Sequence, residues 1–301
     1  MEIITNLKPN KGMALALGYF DGIHKAHIQI INNLKKQAEI LNTKCAIITF
    51  KNNPANCFAP EFIPDIQTLE QKQKILEKME VDYLYVLDFE KYKDMTAKEY
   101  LNEILIKNFE PKLIISGYNH TFGKNKSGNS EFLKKNANAN VIIEKQFNIN
   151  NTKVSSTLIR SLIKNGKLEE VNSFLGRDFS VLNEVISGDK VARTLGYPTI
   201  NLKMQDNIIK PPYGVYNGMV EFEDKKLPAL ISWGTKPTFK NTKEEVLEAH
   251  IYNFSGDLYG KKAEIFFNKR LRNQKTFESV QSLKCQLDKD YKNFKETIHI
   301  S

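Results

Sequence analysis

The 301-residue sequence predicts an α/β domain built on a parallel sheet, followed by a small antiparallel β-barrel closed by one helix. Two observations carry that expectation. Up to about residue 177, short apolar runs alternate with amphipathic stretches, as in a parallel sheet covered by helices on both faces. From Val181 onward, short strands follow one another across turn-rich connections, and no long helical stripe recurs until Phe277 to Phe294.

Met13 to Leu17 is an apolar run long enough for one buried strand. Ile28, Ile31, Leu34, Ala38 and Leu41 then recur at three- to four-residue spacing, which makes an amphipathic helix. Cys45 to Phe50 is a second buried strand, stopped at Pro54. Thr68 opens a helix carrying Ile75, Leu76 and Met79, and Tyr83 to Leu87 returns as a strand. Thr96 to Glu99 is a capping box for a helix with Tyr100, Leu101, Ile104 and Leu105 on one face. A strand at Lys112 to Ser116, a helix around Glu131 to Lys135 and a strand at Val141 to Glu144 follow. Ser155 is placed to cap a further helix, ended by Gly166, and Leu168 to Leu175 forms a short helix leading to a linker near Gly176, Arg177 and Asp178. Beyond it, Val181 to Ile186, Val215 to Phe222, Leu227 to Trp233, Leu247 to Tyr252 and Ala263 to Phe267 read as the barrel strands, with Trp233 assigned to the core.

The first strand and helix are joined by Gly18-Tyr19-Phe20-Asp21-Gly22-Ile23-His24-Lys25-Ala26-His27. Free backbone N–H groups and the positive helix end at such a turn make a site for phosphate. Two of the chain's five histidines stand here, three residues apart, so that both imidazoles can reach one anion. No cysteine lies nearby to complete a tetrahedral zinc set.

Composition narrows the classes. With 41% hydrophobic and 26% charged residues the chain reads as globular, and no apolar run approaches membrane-spanning length. Three cysteines without CxxC spacing, and an N-terminus without a basic start or apolar core, point to the cytoplasm. The net charge of +9 is spread as isolated lysine pairs rather than an arginine-rich stripe, so an attraction for anionic nucleotides is expected instead of nucleic-acid binding.

GYFDGIHKAH resembles the GxFDGxHxGH signature of bacterial bifunctional riboflavin kinases/FAD synthetases. Three further segments resemble that family in its order: Gly117-Tyr118-Asn119-His120-Thr121-Phe122-Gly123, Val154-Ser155-Ser156-Thr157-Leu158-Ile159-Arg160 and Gly196-Tyr197-Pro198-Thr199-Ile200-Asn201. The resemblance runs over nearly the whole chain. It implies a Rossmann-like FMN adenylyltransferase domain at 1–177 and a barrel riboflavin kinase domain at 178–301. ATP, riboflavin and FMN are the substrates it implies, with Mg2+ as cofactor; no membrane or nucleic-acid partner is expected, and oligomeric state is left open.

The same resemblance assigns roles. His24 and His27 are the catalytic pair of adenylyl transfer, and Gly18, Phe20, Asp21, Gly22, Asn119, Ser155, Ser156, Thr157 and Arg160 bind ATP and its phosphates. In the kinase half, Gly188, Lys190, Arg193 and Pro198 lie around the phosphates, Thr199 and Asn201 hold the metal, Glu248 is the catalytic base and Arg272 lines the flavin side. Read alone, Ser155 and Ser156 would be ordinary helix caps and Glu248 a solvated strand residue. The sequence departs from the family pattern at Ala26, His120, Asn183 and Ala192, and Asn53 stands near a position often held by histidine. The alternatives carried beside the bifunctional reading are a paralogue with one activity and a flavin- or nucleotide-sensing protein.

Overall fold

The computed structural model describes residues 1–188, 196–237 and 243–298. By contact the chain divides into two compact units, Met1–Ser156 and Thr157–Ser301.

The first unit is a Rossmann-like layer of six parallel strands. They are β1 (Glu2–Ile4), β2 (Ala14–Leu17), β3 (Cys45–Phe50), β4 (Tyr83–Leu87), β5 (Leu113–Gly117) and, after a hairpin of β6 (Thr121–Phe122) and β7 (Gly128–Asn129), β8 (Asn140–Glu144). Their order is β1-β4-β3-β2-β5-β8. The chain builds outward from β2 through β3 and β4, then crosses to β5 and β8 on the other side. Neighbouring β2 and β5 therefore flank the topological switch point, where open α/β sheets bind ligands at the carboxyl ends of their strands.

Helices α1 (Lys25–Ile40), α2 (Leu69–Lys78), α3 (Ala97–Glu99), α4 (Lys107–Phe109) and α5 (Ser130–Asn136) cover the sheet. Side chains alternate along β2: Ala14 and Ala16 join Ile31, Leu34 and Leu76 on one face, while Leu15 and Leu17 join Leu101, Leu105 and Phe109 on the other. Thr68 and Thr96 both form capping boxes. Between α3 and α4 the helix runs as a π-helical stretch, Tyr100–Ile106, which the apolar spacing did not reveal. Nor was β1 expected; it is a three-residue edge strand paired only with β4. A small hairpin of β9 (Asn148–Ile149) and β10 (Thr152–Lys153) closes the unit.

In the second unit, α6 (Ser156–Lys164) and α7 (Leu168–Leu175) precede a closed barrel. Its strands are β11 (Phe179–Ile186), β12 (Ile200–Leu202), β13 (Gly214–Phe222), β14 (Lys225–Pro237), β15 (Lys243–Ile251) and β16 (Lys262–Asn273), in the order β11-β12-β15-β14-β13-β16, every pair antiparallel. Helix α8 (Val280–Ile298) follows. The 176–178 segment is not a loose linker. The Asn172 side chain accepts from the Phe179 N–H at 2.8 Å and donates to the Phe267 carbonyl at 3.0 Å, fastening α7 to the first and last barrel strands. Trp233 is fully buried inside the barrel, its indole N–H donating to the Pro211 carbonyl at 3.0 Å. Strand β12 was not foreseen, because three residues give no periodicity to read. No described helix is long and apolar enough to cross a membrane.

Candidate active sites

The signature turn leaves β2 at the switch point. Three successive constraints shape it: Phe20, Gly22 and Ile23 all take positive φ, at 54°, 78° and 34°. Gly22 suits that region; a phenylalanine and a β-branched isoleucine do not, so the surrounding structure must hold them there. His24 caps α1, its Nδ1 accepting from the His27 N–H at 3.3 Å. The two imidazoles stack with centroids 3.6 Å apart and planes 15° from parallel, and Phe20 meets His27 edge-on at 5.1 Å. The pair expected from sequence is thus assembled as one surface. Ala26 lies within α1, where alanine is the better helix former than glycine by ~1 kcal/mol.

Asp21 is buried, and it is structural as well as local to the site. Its Oδ1 accepts from the Ile66 N–H at 2.9 Å, and its carbonyl accepts from Ser156 Oγ at 2.9 Å, bringing Ser156 against the signature turn. Thr157 and Arg160 follow on α6. Asn119 lies in the loop after β5, the other strand at the switch point. Gly18 and Phe20 pack together: a Cβ on Gly18 would come within 3.0 Å of the Phe20 ring.

Next to the turn lies a residue that sequence reasoning missed. Lys72 of α2 is 3% exposed, and its ammonium donates to the Tyr19 carbonyl at 2.6 Å and to Thr49 Oγ1 at 3.3 Å. Burial lowers its pKa to about 8, against the pull of Asp21 and Asp65. A lysine in an amphipathic helix reads as solvated, so the only signal was the buried register it shares with Leu76, four residues on.

The departure at His120 is milder than its identity suggests. Burial lowers the imidazole pKa to about 4, and the ring stacks on Phe122 at 5.8 Å. At neutral pH it is an uncharged aromatic plate.

In the second unit the site lies on the outer face of the barrel. Residues 247, 249 and 251 of β15 point into the core, and so Glu248 and His250 point out. A single cross-strand row runs Asn201, Glu248, Ser232, Val215, Arg272 across β12, β15, β14, β13 and β16. Thr199, Ser232, Glu248, Arg272 and α8 residues line a cavity of about 330 Å3 there. Arg272 does not stand open to it: its guanidinium makes a forked pair with Asp290 of α8, Nε–Oδ1 2.9 Å and Nη2–Oδ2 2.6 Å. Pro198 is exposed, and its carbonyl accepts from His250 Nδ1 at 2.8 Å. Burial lowers the His250 pKa. Tyr197 donates to Asp288 Oδ1 at 2.5 Å, and burial reinforced by that carboxylate pushes its pKa up to about 12.

Asn201 is 4% exposed, and among the described residues its Oδ1 meets no hydrogen-bond donor. Gly188 closes over it: a Cβ on Gly188 would fall 2.4 Å from Asn201 Nδ2, so only glycine fits this approach. An oxygen buried without a donor suits a hard cation such as Mg2+. Among the described residues no cluster of His, Cys, Asp or Glu forms a metal site. Lys190, Arg193 and Ala192 lie outside the described residues. Asn183, where the family has glycine, does not need the left-handed region: it lies within β11, paired with Ala263, and its amide donates to the Lys203 carbonyl at 2.7 Å.

Two family models match the chain in succession, FAD synthetase over residues 6–158 and riboflavin kinase over residues 175–298. A bifunctional riboflavin kinase/FMN adenylyltransferase of Buchnera aphidicola (subsp. Schizaphis graminum) is 34% identical over 99% of this chain and 98% of its own. The protein of the same description from Bacillus subtilis is 30% identical over 92% and 89%. A solved structure from Streptococcus pneumoniae, described as a macrolide-efflux protein, is 30% identical and superposes with a TM-score of 0.88 over 98% of this chain and 99% of its own.

Proposed function

The chain belongs to the bifunctional riboflavin kinase/FMN adenylyltransferase family, and from that premise we infer how its residues divide the two reactions. The protein phosphorylates riboflavin with ATP to FMN and adenylylates FMN with ATP to FAD. Our reading gives adenylylation to the signature turn and its neighbours, and phosphorylation to the outer barrel row. The observations that support it are the stacked His24–His27 pair at the start of α1 and the Asn201–Glu248–Ser232 row across the barrel strands.

In adenylyl transfer a phosphate oxygen of FMN bonds to the α-phosphorus of ATP while the bond to pyrophosphate breaks. Little covalent work falls to the protein; positioning and charge neutralisation dominate. The stacked His24 and His27 hold the triphosphate and stabilise charge growing on the departing pyrophosphate. The backbone of Gly18 to Gly22, the hydroxyls of Ser155, Ser156 and Thr157, the Arg160 guanidinium and Asn119 fix the nucleotide around them.

In the kinase reaction the terminal ribityl hydroxyl of riboflavin bonds to the γ-phosphorus and ADP leaves. Glu248 accepts the hydroxyl proton, facing the cavity beside Thr199 and opposite Asn201 in the strand register. Thr199 and Asn201 would hold Mg2+, which would supply positive charge against the phosphates of ATP. Gly188, Lys190, Arg193 and Pro198 belong to the phosphate side of this site, and Arg272 to the flavin wall. Cys45, Cys57 and Cys285 are free thiols, in keeping with a cytoplasmic enzyme.

The test is product analysis with ATP and Mg2+, supplying riboflavin in one reaction and FMN in another. FMN should form in the first and FAD in the second, and chelation of divalent metal should stop both. Formation of one product alone would reduce the chain to a single-activity paralogue; flavin binding without ATP consumption would make it a sensing protein.

A further inference from the structure

We propose that Lys72 is a positioning residue for adenylyl transfer: its ammonium pins the Tyr19 carbonyl at the foot of the signature turn and so holds His24 and His27 in place for the triphosphate. The inference rests on the assignment of that histidine pair to adenylylation. Lys72 sits in α2 on a face otherwise directed at the apolar layer of Leu76, Leu84 and Val86, and it is as buried as they are. An ammonium there is disfavoured unless it is paired and hydrogen-bonded. A leucine or methionine would pack at that position without the penalty.

The charge is fully engaged instead. Its Nζ reaches the Tyr19 carbonyl at 2.6 Å and Thr49 Oγ1 at 3.3 Å, and it lies 4.2 Å from the centroid of the Tyr19 ring. Thr49 Oγ1 also donates to the Tyr19 carbonyl, at 2.8 Å. The negative charges of the buried Asp21 and Asp65 favour the charged ammonium from a distance. Directly after Tyr19 come the left-handed Phe20 and Ile23, conformations that persist only where their surroundings over-determine them. The turn is anchored on Tyr19 by Lys72 and Thr49, and on Asp21 by the Ile66 N–H and Ser156 Oγ. Lys72 supplies the cationic member of that set, holding the Tyr19 carbonyl together with Thr49. Because burial brings its pKa to about 8, the pin loses its charge in mildly alkaline solution. The groups acting on it are Asp21 from the turn, Thr49 from β3, Asp65 from the segment before α2, and Tyr19.

Lys72→Met fills the space without the charge. Its kcat for FAD formation from FMN should fall about a hundredfold, as expected for a misplaced but intact catalytic group, with KM for ATP and FMN nearly unchanged. FMN formation from riboflavin, read on the same preparation, should stay at the wild-type rate. In the wild type, FAD formation should decline as pH rises through about 8 while FMN formation does not, and the residual activity of Lys72→Met should lack that limb. Wild-type kcat in Lys72→Met, or wild-type FAD and FMN formation with the same alkaline profile, overturns the proposal. If Lys72→Met loses both activities through misfolding, the wild-type profiles decide alone. His27→Ala serves as the control: if it keeps full FAD formation, the assignment of the histidine pair has failed, a different outcome from failure of Lys72.

Discussion

A histidine that behaves as an aromatic ring shows how environment decides what a residue contributes. His120 is held neutral by burial, with a pKa of about 4, and stacks on Phe122. Its folded pKa lies below the ordinary histidine value of 6.5, so the unfolded chain takes up the proton first. The stability tied to the neutral ring is complete above pH 6.5 and drains away as the pH falls toward 4. His120→Phe should therefore retain adenylylation at neutral pH and show a melting temperature less sensitive to acid across that window. Thermal melts at stepped pH check this; an unchanged acid sensitivity would remove His120 from the explanation. At this scale the signature turn with His24 and His27 was legible in the sequence because it is one short local stretch, whereas Glu248 was singled out only through the family resemblance. Lys72 was not legible, since its partners Tyr19, Thr49 and Asp65 come together only through tertiary packing.

Among the elements, α8 is where residue chemistry becomes architecture. Arg272 was expected to face the flavin, and it does line the cavity, but its guanidinium is also the fastening for the helix through Asp290. Gln286, one turn earlier, donates to the same carboxylate at 2.9 Å, and Tyr197 grips Asp288. With side chains 17% and 5% exposed, the Arg272–Asp290 pair falls between surface and buried limits, so Asp290→Ala should cost on the order of 2 kcal/mol locally. It should raise KM for riboflavin while leaving FAD formation from supplied FMN unaffected, which steady-state kinetics with each flavin would read. The helix itself was visible as an apolar stripe; its attachment was not, because sequence spacing says nothing about which strand an acidic helix residue meets. Short elements such as β1 and β12 escaped for a related reason: three residues carry too little pattern, and the sheet defines them by pairing.

For the whole molecule, the change from alternating strands and helices to consecutive strands marked two domains correctly in kind. The contact boundary at Ser156 places α6 after its first residue, and all of α7, with the barrel, because Asn172 fastens α7 to β11 and β16. We expect the two activities to use separate nucleotide sites. A crossed pair of variants tests that most directly, each assayed for FMN formation from riboflavin and FAD formation from FMN. His27→Ala should lose about a hundredfold or more in FAD formation, equivalent to ~3 kcal/mol of transition-state stabilisation, and still make FMN. Glu248→Gln should lose on the order of a hundredfold in FMN formation and still make FAD from supplied FMN. If either variant depresses both reactions equally while remaining folded, the two chemistries share a site and the division proposed for this chain is wrong.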